Sequence, residues 1–262
     1  MKIIDTHTHL NAEQLYNDRQ EVIERAKQNG VVKVINNGDT FDSFQVIGKL
    51  AEEYPSFCYS AIGLFPGMGT SEVNQDISRV KNIIQNTKNV VAIGEIGLDY
   101  YWEKDAQKRE EQRVLFKKQI ALASELHLPI IVHSRDADAD TLNILLNSDF
   151  DENIILHCYS GSFQMANRYL NHNKKVYFGI GGVLTFKNAR RLVEVVQRVD
   201  SKHFVLETDA PFLSPVPYRG TRNEPAYIVK TLEKLAELLN RNKDDLADEI
   251  YERSLRIYNI HE

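Results

Sequence analysis

The sequence predicts an α/β protein of the (β/α)8 TIM barrel class, one domain spanning residues 1–262. Three observations predict it: eight short β-branched runs recur along the chain, amphipathic stretches separate them, and 262 residues is the size of one such barrel. The first run, 2–5, leads into Asp5-Thr6-His7-Thr8-His9, and the second covers 32–36. The third and fourth, 58–62 and 90–94, precede a long helical pattern at 105–126, where Phe116, Ile120 and Ala123 share a stripe beside Leu115, Leu122 and Leu126. The fifth and sixth, 130–133 and 154–157, each end in histidine, and 175–179 and 203–207 complete the set. Helices over 224–239, with Ile228, Leu232, Leu235 and Leu239 in register, and near 243–258 close the chain. Val90-Val91-Ala92-Ile93 and Pro129-Ile130-Ile131-Val132 are continuously apolar, as strands covered on both faces must be. An open doubly wound sheet is the alternative topology.

Composition bounds the function. With 42% hydrophobic and 26% charged residues the chain is neither disordered nor fibrous. A formal net charge of -5 argues against holding duplex nucleic acid by broad phosphate neutralisation, which needs a surplus of lysine and arginine. No apolar run approaches a membrane span, and Met1-Lys2-Ile3-Ile4-Asp5 meets an acid before a signal-like region develops, so a cytoplasmic address with no membrane contact is expected. The two cysteines, Cys58 and Cys158, are too few for a disulfide framework and read as small buried apolar groups. No obligate protein partner is implied.

Chemistry concentrates at the carboxyl ends of the predicted strands. Side chains alternate along a strand, so His7 and His9 project the same way. The fourth run continues into Glu95, the fifth and sixth end at His133 and His157, and the eighth continues through Glu207 to Asp209. In a barrel those ends share one face, so His7, His9, Glu95, His133, His157 and Asp209 converge despite their separation in sequence. Taken singly, each has a bland explanation as a strand cap or a partner of loop amides. The other four histidines, His127, His172, His203 and His261, fall in helices or loops, which makes coincidence a poor account of the set. Six imidazole and carboxylate donors exceed the need of one ion and suit two divalent ions, with Glu95 placed centrally. Such a pair serves hydrolysis of phosphoryl or acyl compounds.

These segments resemble the TatD family of metal-dependent deoxyribonucleases, within the amidohydrolase superfamily. The similarity runs through Asp5-Thr6-His7-Thr8-His9, Gly94-Glu95-Ile96-Gly97-Leu98-Asp99-Tyr100, His133-Ser134-Arg135-Asp136-Ala137, His157-Cys158-Tyr159-Ser160-Gly161 and Glu207-Thr208-Asp209-Ala210-Pro211. The resemblance implies that His7, His9 and Asp209 hold one metal and His133 and His157 the other, with Glu95 between them. Two departures stand out. Phe65, in Gly63-Leu64-Phe65-Pro66, replaces the family's histidine and cannot donate a hydrogen bond, and Thr221 replaces a common lysine.

The resemblance further implies a 3′ to 5′ exodeoxyribonuclease acting on single-stranded DNA ends, with RNA as a possible partner. Magnesium or manganese would support activity, while the histidine-rich donor set also suits zinc, nickel or cobalt. A hydroxide shared by two ions is the expected nucleophile, with Asp209 as general base alongside Glu95. Arg135, Arg219 and Arg222 are candidate phosphate contacts, Glu207 a candidate substrate-side or ligand-orienting carboxylate, and Tyr100, Tyr101 and Trp102 candidates to stack a base. A hydrolase of small amides, esters or lactones is the alternative enzyme. A metal-binding scaffold without turnover, suggested by Phe65, is the non-enzymatic one.

Overall fold

A computed structural model describes residues 1–172 and 175–261. Eight parallel strands form one sheet in sequence order: β1 Ile3–Thr8, β2 Val31–Gly38, β3 Cys58–Ile62, β4 Val90–Asp99, β5 Ile130–Arg135, β6 Ile154–Leu156, β7 Val176–Ile180 and β8 Phe204–Leu206. The intervening helices are α1 Arg19–Gln28, α2 Phe41–Glu53, α3 Val73–Asn86, α4 Ala106–Leu126, α5 Asp138–Leu146, α6 Phe163–Leu170, α7 Arg190–Arg198 and α8 Ile228–Leu239, and α9 Lys243–Ile257 follows. The sheet curls until β8 meets β1. Thr6 donates its hydroxyl to the Leu206 carbonyl, Asp209 N–H to the His7 carbonyl, and Thr8 bridges Ala210 in parallel. The chain is a (β/α)8 TIM barrel, and the open-sheet alternative is excluded by this closure.

Strand parity divides the core in two. Ile3, Val34, Ile93, Ile130, Ile154 and Phe204 point outward and bury against the helices. Ile4, Ile35, Ala61, Ala92, Ile131, Ile155 and Val205 belong to a separate apolar cluster, which Tyr251, Tyr258 and Ile260 from the end of the chain also join. Two residues beyond three of those inward positions stand His133, His157 and Glu207. One turn of strand thus separates hydrocarbon from ionisable groups.

The observed strands match the expected runs, with two informative differences. β4 extends through Asp99, five residues past the expected end, because it keeps pairing with β5 from Ile96↔Val132 to Asp99↔Arg135. β6 and β8 stop one residue short of His157 and Glu207, and Cys158 (φ 45) and Asp209 (φ 58) enter left-handed backbone just beyond. Helix α4 begins where the sequence places it, since Asp105 accepts from the Lys108 N–H. The long segment after β8 is irregular except for a short turn of helix at Pro225–Tyr227.

Candidate metal centre

The six expected side chains meet at the carboxyl end of the barrel. His7 on β1 and His9, one residue past its end, bring their Nε2 atoms to 3.1 Å. His7 Nε2 lies 3.5 Å from Glu95 Oε2 and 3.7 Å from Asp209 Oδ1, and His9 Nε2 lies 3.8 and 3.4 Å from the same two atoms. The other oxygen of Glu95 faces a second pair: Oε1 is 2.8 Å from His133 Nδ1 and 3.4 Å from His157 Nε2. The His7 and His157 rings stack with centroids 3.5 Å apart. Glu95 therefore divides its two oxygens between two pairs of imidazoles.

The donor chemistry fits divalent ions. His9 Nδ1 sits 3.1 Å from the Asn37 carbonyl, which can only accept, so the ring proton resides there and the Nε2 lone pair points into the cluster. Among the described residues no lysine or arginine forms an ion pair with Glu95, Asp99, Glu207 or Asp209. Burial opposes charge on Glu95, yet the neighbouring His157 charge and hydrogen bonds from His133 and His7 hold its carboxyl well below the usual range. Asp209 is likewise held low against burial by His9, His157 and His7. Burial opposes a proton on His157 as well, but Glu207 and Glu95 push it up to about 10. The same burial, reinforced by the His157 charge, lowers His7. Two ionised carboxylates in a buried site without a fixed cation call for positive charge between them, and an incoming metal satisfies that need as protons satisfy it otherwise. Three ligand groups of the required kind recur in one place: His7 with His9 and Glu95, His7 with His157 and Asp209, and Glu95 with His133 and His157.

A second set of side chains aims the first. Glu207 is fully buried; its Oε1 accepts the Cys158 N–H at 2.6 Å and lies 3.2 Å from His157 Nδ1. It stands beside the histidine and fully buried, so of the two roles offered by the sequence the structure favours the ligand-orienting one over the substrate-side one. Gly179 makes room for it, since a Cβ there would lie 2.1 Å from Glu207 Oε2. Asp99, given no role by the sequence reading, sits 3.1 Å from His133 Nε2. Its signal was the parity of β4, on which Glu95, Gly97 and Asp99 share a face. Asp5 ties the two ends of the barrel together, accepting from the Thr208 hydroxyl at 2.6 Å and N–H at 3.0 Å, while burial pushes its carboxyl up to about 8.

The mouth residues separate into engaged and free. Arg222 donates to both Asp18 oxygens at 2.7 Å and to Glu224 at 2.9 Å, so it pins its own loop and is not free for phosphate. Arg219 lies over the Phe186 ring at 3.8 Å and reaches the Ser214 carbonyl, a loop contact again. Tyr100 is buried with its hydroxyl on Asp140, which removes it from the candidates for stacking. Arg135 lies exposed two residues past His133, with no carboxylate within ion-pair distance among the described residues. Phe65 packs its ring 4.8 Å from His133.

Comparison with known proteins agrees with this geometry. The family model described as TatD related DNase matches residues 4–259. The uncharacterized metal-dependent hydrolase YabD of Bacillus subtilis is 40% identical over 260 residues, covering 99% of this chain and all of that one. The crystal structure of YjjV, a TatD homolog from Escherichia coli K12, superposes with a TM-score of 0.90 at 29% identity, covering 99% of this chain and 98% of the other. A TatD-family hydrolase from Entamoeba histolytica shares the fold at a TM-score of 0.85, 20% identity and 98% coverage of both chains. With its fold, its cluster of imidazoles and carboxylates and these similarities together, the chain belongs to the TatD family of metal-dependent hydrolases.

Proposed function

We propose that this hydrolase cleaves phosphodiester bonds, trimming single-stranded DNA ends from 3′ to 5′, with RNA ends as a further substrate. The observation that supports the reading is the division of Glu95 between two histidine pairs: His7, His9 and Asp209 would hold one divalent ion, and His133 and His157 the other. When bound there, magnesium or manganese, or zinc, nickel or cobalt, would supply Lewis acidity toward a phosphoryl oxygen and a water. The chain's own residues do the remainder. Asp209, held ionised, accepts the proton of the attacking water, and Arg135 offers a bidentate donor to a neighbouring phosphate. An acidic chain whose Arg135 carries no ion pair among the described residues suits a strand held by its terminus better than one held along its length.

Metal-loaded protein should shorten end-labelled single strands one nucleotide at a time and leave closed circular DNA intact; equal digestion of circles refutes the exonuclease assignment. A reading as a hydrolase of small amides, esters or lactones draws on one observation, the apolar Phe65 ring against His133. Turnover of lactones or amides without turnover of bis-nitrophenyl phosphate selects it.

A further inference from the structure

Among the described residues, eight large apolar side chains are markedly exposed, and six of them lie on segments that follow strands: Tyr16, Met68, Tyr101, Trp102, Phe212 and Val216. Of these, Tyr101 and Trp102 are in contact with one another. Trp102, the only tryptophan of the chain, is 73% exposed. It is nonetheless held: Asp99 Oδ1 accepts the N–H groups of both Tyr101 and Trp102, at 3.0 and 3.1 Å, while its other oxygen faces His133. Tyr101 meets the indole edge to face at 4.8 Å and 88°. Arg135 lies 3.8 Å over the Tyr101 ring and 5.7 Å from that of Trp102. Asp99 and Arg135 are register partners across β4 and β5. One carboxylate thus joins His133 to the backbone that carries the exposed indole.

We propose that Trp102, braced by Tyr101, is a stacking platform for an unpaired nucleobase, and that Arg135 binds the phosphate linking that base to the nucleotide at the metal centre. The proposal rests on the nucleic-acid reading above and adds the feature that selects single strands. Every base has a π face, so the contact is indifferent to sequence, whereas a paired base is already stacked and cannot use it. The guanidinium is pre-oriented by its own ring contact, so it loses little freedom on meeting phosphate. A small lactone or amide held at the metals has no second planar group to place there.

The single indole reports directly. Titrating metal-loaded protein with a phosphorothioate (dT)4 should quench its fluorescence saturably, and a blunt duplex should not; no quenching, or equal quenching by the duplex, overturns the proposal. Trp102→Ala should raise KM for single-stranded DNA about tenfold, within the range for loss of one stacked base, and Trp102→Phe should restore most of it. A KM in Trp102→Ala equal to the parent's overturns it too. Quenching by the tetranucleotide with no digestion of any DNA retains the platform and discards the exonuclease. Digestion of single strands without quenching does the reverse.

Discussion

At the scale of single residues, the site distinguishes groups that meet a ligand from groups that hold those groups. Asp209→Asn keeps shape and hydrogen bonds but cannot take a proton, so turnover should fall about 10²- to 10⁴-fold while elemental analysis finds metal still bound. Glu207→Gln acts one layer down: it removes the charge beside His157 Nδ1, and metal affinity should drop about 10- to 100-fold in chelator competition. Equal affinity in that variant would strip Glu207 of its positioning role. The cluster was legible in sequence because its members sit in or just after apolar strand runs, two from β1 and one each from β4, β5, β6 and β8. Glu207 and Asp99 were harder to assign, since whether a carboxylate on the inward face points at solvent or at an imidazole depends on depth in the barrel, which parity does not encode. Arg219 and Arg222 could be read either as phosphate contacts or as pins of a long loop, and the structure shows the loop contacts. The Arg219 acceptor, the Ser214 carbonyl, is local to the loop, whereas Asp18 lies 204 residues from Arg222 and becomes its neighbour only in the fold.

At the scale of elements, the strands were readable because parallel strands buried on both faces are nearly continuous apolar runs, and α4 because its cap and stripe are strong. The loop after β8 was not, having no period. It is fastened by ion pairs from Arg222 to Asp18 and Glu224 and from Arg25 to Asp18 and Glu224. The hydrogen bond from Arg222 lowers the Asp18 carboxyl from 3.8 to about 2. The stability this contributes is present above pH 3.8 and is lost as pH falls toward about 2. Arg222→Ala should therefore unfold at lower urea than the parent at neutral pH, with the difference shrinking as the solution is acidified toward pH 2. A gap that persists undiminished there contradicts the ion-pair account.

At the scale of the whole molecule, the barrel is an insulated vessel, its lower half hydrocarbon and its upper half ionic. Tyr258, 2% exposed, is part of the floor together with Tyr251 and Ile260. Tyr258→Ala should cost about 3–5 kcal/mol in chemical denaturation, the range for emptying a buried aromatic site. A cost below about 1 kcal/mol would mean the floor collapses without loss. That floor also gives assembly a direction in time. The groups that seal it lie at 251–260, beyond every strand they cover. The described chain must therefore be made almost to residue 260 before the inward side chains of the barrel gain this last apolar cover.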